Sequence, residues 1–218
     1  MRIPVVSVNV GLPQVIGTLH GAEVWSAIAK LPVSTGAVTL RTTNIVGDGQ
    51  ADLEVHGGID KAVYTYSADH WPWWQAQKEL RCVPATFGEN LTLSGFDENE
   101  VRIGDRFAWG EAELEVSQPR APCFKLSMHT GRDDVPAAMT ATGRCGWYMR
   151  VLREGAASVR GELVRVGEST GSTVREAFLA AFAPRADRGA LRRIHAQPAL
   201  APAWRRMIER KIAADSGV

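Results

Sequence analysis

What most limits the fold of this chain is a change in the period of its apolar residues near Gly171. Before that point the sequence is punctuated by short β-branched runs, each closed by Gly, Asp or Pro: Val5 to Val10, Val38 to Ile45, Ala62 to Tyr66, Asn90 to Leu93, Ala112 to Ser117 and Glu162 to Val166. Runs of this length between turn formers read as strands. Ala112-Glu113-Leu114-Glu115-Val116 alternates apolar with polar residues, which suits an antiparallel sheet with one buried face. The expectation is a β-barrel or sandwich, mainly β with some α. One helix is expected to interrupt it over Ala68 to Leu80, with Ser67 or Asp69 as N-cap and Pro72 in the first turn; a second short one follows Asp133-Asp134-Val135-Pro136.

After Gly171 the period becomes helical. Thr173-Val174-Arg175-Glu176 fits a capping box, and Phe178, Leu179 and Phe182 give an apolar face that stops at Pro184. Asp187 can cap a second helix around Leu191 and Ile194, and Pro202 opens a third in which Trp204, Ile208 and Ile212 recur every four residues. The predicted organisation is a β domain over 1–169 and a three-helix domain over 170–218. About 45 residues make a poor independent core, so the helices are expected to lean on the β domain.

An apolar content of 45% suffices for a core, and no apolar run reaches the roughly 18 residues of a membrane span. The start, Met1-Arg2-Ile3-Pro4-Val5-Val6, lacks the apolar stretch of a signal peptide, and Cys82, Cys123 and Cys145 form no C-x-x-C pair. Free thiols in a reducing compartment, the cytoplasm, are expected. The net charge is +1, yet nine Lys or Arg face four Asp or Glu from Thr170 onward. A basic tail of this kind is a solvated helix face or a surface for an anionic partner.

A P-loop, a nucleophile elbow and an H-x-x-x-H pair are all missing, and Gly47-Asp48-Gly49 fails as a dinucleotide fingerprint because Asp52 stands where its last glycine belongs. Three segments remain. In His56-Gly57-Gly58-Ile59-Asp60-Lys61 the paired glycines let backbone N–H groups approach an anion and Lys61 can neutralise it; a glycine-rich turn with a structural Asp60–Lys61 pair fits the same residues. In Phe87-Gly88-Glu89-Asn90, Glu89 and Asn90 can bind the amide-like edge of a heterocycle or simply close a turn. In Gln118-Pro119-Arg120-Ala121-Pro122-Cys123-Phe124-Lys125, cations at Arg120 and Lys125 favour the thiolate of Cys123, the form that attacks electrophiles or binds a soft metal, although a lone cysteine is usually a small buried hydrophobe. Cys145 reads as core, and Trp71, Trp73 and Trp74 as the anchor of a helix on a sheet.

In order and spacing, His56 to Val63, Phe87 to Thr92, Ile103-Gly104-Asp105 and Gln118 to Leu126 together resemble the MOSC domain family, named for the C-terminal domain of molybdenum-cofactor sulfurases. Thr142-Gly143-Arg144-Cys145-Gly146-Trp147-Tyr148 and the helical tail resemble its YiiM-like branch. The resemblance implies a MOSC-type β-barrel followed by a three-helix domain, and a bound molybdenum cofactor (molybdopterin with Mo) with Cys123 as the protein's ligand to the metal. It further implies reduction of N-hydroxylated compounds such as hydroxylamino-purines, a detoxification in which N–OH becomes the amine. In that picture His56, Gly57, Gly58, Asp60, Lys61, Glu89, Asn90, Arg120 and Lys125 hold the pterin and its phosphate, and His56, whose ordinary pKa suits proton transfer, joins Cys123 as a catalytic residue. With no flavin, iron–sulfur or nicotinamide site legible, a separate reductase is expected to supply electrons, docking on the basic tail. Neither stable nucleic-acid binding nor membrane association is expected, and a homodimer is compatible with the sequence. Two rival readings stand: a sulfur carrier using a Cys123 persulfide, and a binding module whose helical tail contacts nucleic acid, with affinity that collapses in salt.

Overall fold

The computed structural model describes residues 1–52, 57–185 and 187–214. Its strands are β1 (Arg2–Val10), β2 (Gln14–Leu19), β3 (Ala22–Ser26), β4 (Leu31–Pro32), β5 (Ala37–Arg41), β6 (Asn44–Ile45), β7 (Val63–Ser67), β8 (Leu91–Leu93), β9 (Arg106–Trp109), β10 (Ala112–Pro119), β11 (Trp147–Arg153), β12 (Gly155–Ser158) and β13 (Glu162–Gly167). Its α-helices are α1 (Trp71–Lys78), α2 (Phe124–Thr130), α3 (Val135–Thr142), α4 (Val174–Phe182), α5 (Arg188–His195) and α6 (Pro202–Ala214).

Seven strands close a barrel. In the order β13, β9, β10, β11, β7, β8, β1 each pairs with the next, and β1 pairs again with β13, so the ring has no free edge. Every pair is antiparallel except β7 with β8. Parallel neighbours need a crossover, and α1 supplies it. That helix is anchored by Trp74, fully buried, whose indole N–H donates to the Tyr66 hydroxyl at 2.6 Å. Phe96, Phe107, Trp109, Leu114 and Trp147 belong to the same buried core.

The alternation in β10 predicts one buried face, and the structure differs. Glu115 points outward yet is only 8% exposed, because it lies between Arg106 and Arg150 with the loop after α5 close by. Val38 to Ile45 is also two strands rather than one: Thr42 and Thr43 form the turn between β5 and β6, and the Glu154 carboxylate accepts from both the Thr42 amide, at 2.7 Å, and its hydroxyl, at 2.8 Å.

The tail forms the three expected helices. Thr173 and Glu176 make the reciprocal capping box. Val174, Ala177 and Phe178 are wholly buried, and the helices are bonded to the barrel unit through Val174 N–H to Val101 O (2.8 Å), Arg175 N–H to Glu98 O (2.9 Å) and Ala201 N–H to Ser117 O (3.0 Å). No helix among the described residues is long and apolar enough to cross a membrane.

Candidate functional site

One end of the barrel opens into a cleft lined by polar, charged and aromatic side chains. Its floor is made where strand ends meet. Pro119 pairs with Trp147, Arg120 N–H donates to the Gly146 carbonyl just beyond, and the Arg120 and Tyr148 side chains both line the cleft; Tyr148 pairs with Tyr64 of β7, and the two rings lie 5.2 Å apart. Asn90 immediately precedes β8 and exchanges backbone bonds with Tyr64 and Asn9. The walls are Ser26 to Ile28, Lys30, Asp48 to Asp52, Lys61 and the segment with Cys123 and Lys125. Two glycines permit this closeness. A Cβ on Gly88 (φ +80°) would stand 2.5 Å from Ile28 Cγ1, and one on Gly146 (φ +67°) would stand 2.3 Å from the Thr65 carbonyl oxygen.

The cleft gathers positive charge around a thiol. Arg120 is 5% exposed, yet it forms no ion pair with a carboxylate among the described residues: its guanidinium lies over the Tyr64 ring at 5.5 Å, and Nη1 is 3.3 Å from Met139 Sδ. Tyr64 and Tyr148, whose charge would otherwise balance it, are pushed up by burial and stay neutral at pH 7. A buried cation left in this way is costly to the fold, and an incoming anion relieves the cost. Lys61 and Lys125 line the same space, as does Cys123, the residue before α2, which forms no disulfide. Burial draws the Lys61 pKa down, against the pull of Asp60 and Asp52.

The opposite wall is held by Asp48, 6% exposed, which accepts from the Gly11 amide (2.9 Å), the Asn90 side-chain amide (2.9 Å) and the Lys30 ammonium. Asn90 spends its other groups on the barrel, accepting from Tyr64 N–H at 3.0 Å and donating to Asn9 O at 3.2 Å. Its side chain therefore ties the Asp48 loop to β1, β7 and β8.

The structure thus brings Lys61, Asn90, Arg120, Cys123 and Lys125 together. Glu89, Asp60, Gly57 and Gly58 do not line the cleft. Glu89 is fully buried and folds its own turn, accepting from the amides of Ala85 (2.9 Å) and Phe87 (3.0 Å) and the Thr92 hydroxyl (2.9 Å); burial raises its pKa and these bonds oppose the rise. Asp60 turns to Arg150 at 2.8 Å. Gly58 (φ +95°) opens the short 3-10 turn Ile59–Lys61 that carries Lys61 to the rim. His56 lies outside the described residues. Cys145 is core, its Sγ 3.1 Å from the Gly146 carbonyl oxygen, with a pKa pushed far up by burial. Lys30, Asp48, Tyr64 and Tyr148 stand in no binding motif of the sequence; Gly47-Asp48-Gly49 alone touches this group, as an incomplete dinucleotide fingerprint.

Two family descriptions match the chain: MOSC domain over 52–170 and YiiM-like, 3-alpha helix domain over 173–214. Protein YiiM of Escherichia coli (strain K12) is 38% identical over 190 residues, covering 85% of this chain and 84% of that one. A protein of Gibberella moniliformis (strain M3125 / FGSC 7600) named reductase is 40% identical over 140 residues, 62% of this chain and 24% of that longer one. Among solved structures, YiiM from Geobacillus stearothermophilus superposes with a TM-score of 0.81 at 32% identity, covering 96% of this chain and 99% of that one. A closed seven-stranded barrel with three appended helices, a cationic cleft at one barrel end and these matches across nearly the whole length make the chain a member of the MOSC domain family, in its YiiM-like branch.

Proposed function

We propose that the cleft holds a molybdenum cofactor and that the protein reduces N-hydroxylated compounds, such as hydroxylamino-purines, to the corresponding amines. The observation that supports this most is the convergence of the Cys123 thiol with Arg120, Lys61 and Lys125 on one cleft, with Arg120 buried and in no ion pair with a carboxylate among the described residues. This donor set fits the group: a soft sulfur ligand for a soft metal, and a buried guanidinium with two lysines for a phosphate. When bound, the cofactor supplies two-electron redox chemistry at the metal.

The chain's own residues do the rest. Cys123 ligates the metal; Arg120, Lys61 and Lys125 bind the anionic end; Tyr64 and Tyr148 present neutral aromatic faces against which a flat heterocycle can pack. The Asp48–Lys30–Asn90 cluster keeps the facing wall in place. In the overall reaction the N–O bond breaks, two electrons and two protons enter, and the amine and one water leave. His56 is the group proposed to deliver protons. Electrons come from a separate reductase, and the exposed arginines of α5 and α6, such as Arg188, Arg192, Arg206 and Arg210, form a face for an acidic donor.

The test is metal and pterin analysis of protein from a cofactor-competent host, wild type beside Cys123→Ala, followed by assay on a hydroxylamino-purine with a chemical reductant. The expected result is about one molybdenum per chain and turnover in wild type, and neither in the variant. Molybdenum and full activity retained in Cys123→Ala would remove the assigned ligand. A molybdenum-free wild type with cyanide-labile sulfur on Cys123 would replace the reductase with a sulfur carrier.

A further inference from the structure

We propose that Arg150, on β11, is a positioning residue through which the appended helices set the place of Lys61 and hence the grip of the cleft on an anion. The inference rests on the reading of the cleft as an anion seat. No described residue beyond Tyr148 lines the cleft, so whatever the helices contribute to it must pass through other groups.

The geometry supplies two such links. Lys61 and Asp60 are neighbours in the turn Ile59–Lys61, and they face different ways: Lys61 lines the cleft, while Asp60 Oδ1 accepts from Arg150 Nε at 2.8 Å and pairs with the charge on Nη2 at the same distance. The same guanidinium donates from Nη1 to Glu115 Oε1 at 2.6 Å and from Nη2 to the carbonyl of Ala199, in the loop between α5 and α6, at 2.8 Å. Ser117 forms the second link. Its hydroxyl donates to the Asp60 carbonyl at 2.6 Å, and its own carbonyl accepts from the Ala201 N–H at 3.0 Å. The loop that anchors both is itself fixed by Arg205, which donates to the Gln197 carbonyl at 2.8 Å.

The side chains of Arg150 and Asp60 are 18% and 23% exposed, so their pairing is sheltered from the screening that weakens surface ion pairs. Fixing the turn in advance removes an ordering cost that Lys61 would otherwise meet on binding, and that saving appears as affinity.

Charge and positioning predict opposite signs at Asp60. A carboxylate near an anion seat repels the anion, so deleting it would tighten binding if charge alone mattered; if Asp60 positions Lys61, deleting it loosens binding. Pyrophosphate is titrated calorimetrically into full-length, cofactor-free protein. The expected result is a Kd about 3- to 10-fold weaker in both Arg150→Met and Asp60→Ala, and within about twofold of wild type in Asp60→Asn, which keeps an acceptor for the guanidinium. In a Lys61→Met background, Arg150→Met should add nothing further. Tighter or unchanged binding in Asp60→Ala overturns the proposal, as does an undiminished effect of Arg150→Met without Lys61. If Arg150→Met fails to fold, the Asp60→Ala and Lys61→Met cycle carries the same comparison. If wild type binds no pyrophosphate, the anion-seat reading falls, and amide exchange decides positioning: faster exchange confined to Ile59–Ala62 in Asp60→Ala supports it, and unchanged exchange there refutes it.

Discussion

Replacing Arg120 by Met should weaken anion binding and leave the cofactor-free protein as stable as before or more so. The side chain is 5% exposed, and its neighbours are a neutral ring, a thioether and a neutral phenol. A methionine of similar reach fills the same space without a charge to desolvate. The lost contact with the Tyr64 ring and the lost hydrogen bond with the Tyr148 hydroxyl together cost about 1 to 3.5 kcal/mol. Against these stands the desolvation of an ion that no carboxylate among the described residues compensates, several kcal/mol after relaxation. The balance lies between about zero and 2 kcal/mol in favour of the variant, a rise in Tm of up to about 8 °C for a chain of this size. Binding moves the other way. A charge-assisted hydrogen bond contributes about 1.5 to 3 kcal/mol, so the pyrophosphate Kd should weaken by roughly 10- to 150-fold. Urea and thermal unfolding without ligand, and calorimetric titration with pyrophosphate, measure the two terms separately. A variant destabilised by more than about 2 kcal/mol with its Kd unchanged would mean that the guanidinium holds the fold together and is no anion seat.

Three further outcomes follow from other parts of the molecule. Gly88→Ala places a methyl 2.5 Å from Ile28 Cγ1 at a φ of +80°, and should cost about 1 to 3 kcal/mol in urea unfolding while narrowing the cleft. Thr173→Ala removes the capping-box acceptor of α4 and should cost about 1 kcal/mol, a fall of roughly 2 to 4 °C in Tm. Burial raises the pKa of Tyr64, Tyr66 and Tyr148, so above about pH 10 the unfolded chain holds fewer of these protons than the folded one, and each phenol should lower stability by about 1.4 kcal/mol per pH unit. Cys82, pushed up to about 12, acts with the same sign above about pH 9, whereas the lowered Lys30 and Lys61 add stability as pH rises toward 10.5. Tyrosinate absorbance should therefore appear together with unfolding at alkaline pH, and its appearance in still-folded protein would refute the burial of the phenols.

The strands legible in the sequence are those built from β-branched runs, and the helices those with caps. The hairpin of β2 and β3 escaped notice because its apolar residues are scattered: Val15 and Trp25 pair on its exposed side, at 42% and 50% exposure. β11 is hard to read because Trp147-Tyr148-Met149-Arg150-Val151 has a single β-branched residue, though Trp147, Met149 and Val151 are buried with Tyr148 and Arg150 half-buried between them. The helix α2 has seven residues with Cys123 as its N-cap, a side chain that makes no capping bond, so nothing marks its start. In each case tertiary packing, rather than local preference, selects the conformation.

The site divides along a different line. Lys61, Arg120, Cys123 and Lys125 could be picked out because each sits in a short segment dense with Gly, Pro or charge, where a motif is visible without knowing the fold. Lys30 and Asp48 could not, since a buried ion pair formed across 18 positions leaves no trace in either neighbourhood. The same blindness applied to Asp60, for the opposite reason. It lies inside the motif among the anion binders, but an acid beside an anion seat needs a partner of its own, and Arg150 lies 90 positions away on a strand with little local signal. A motif therefore reports which segment comes to the cleft and leaves open which way each side chain of that segment turns. Here direction separates two adjacent residues, Lys61 toward the ligand and Asp60 toward the groups that hold the turn still, and an arginine on β11 decides between them.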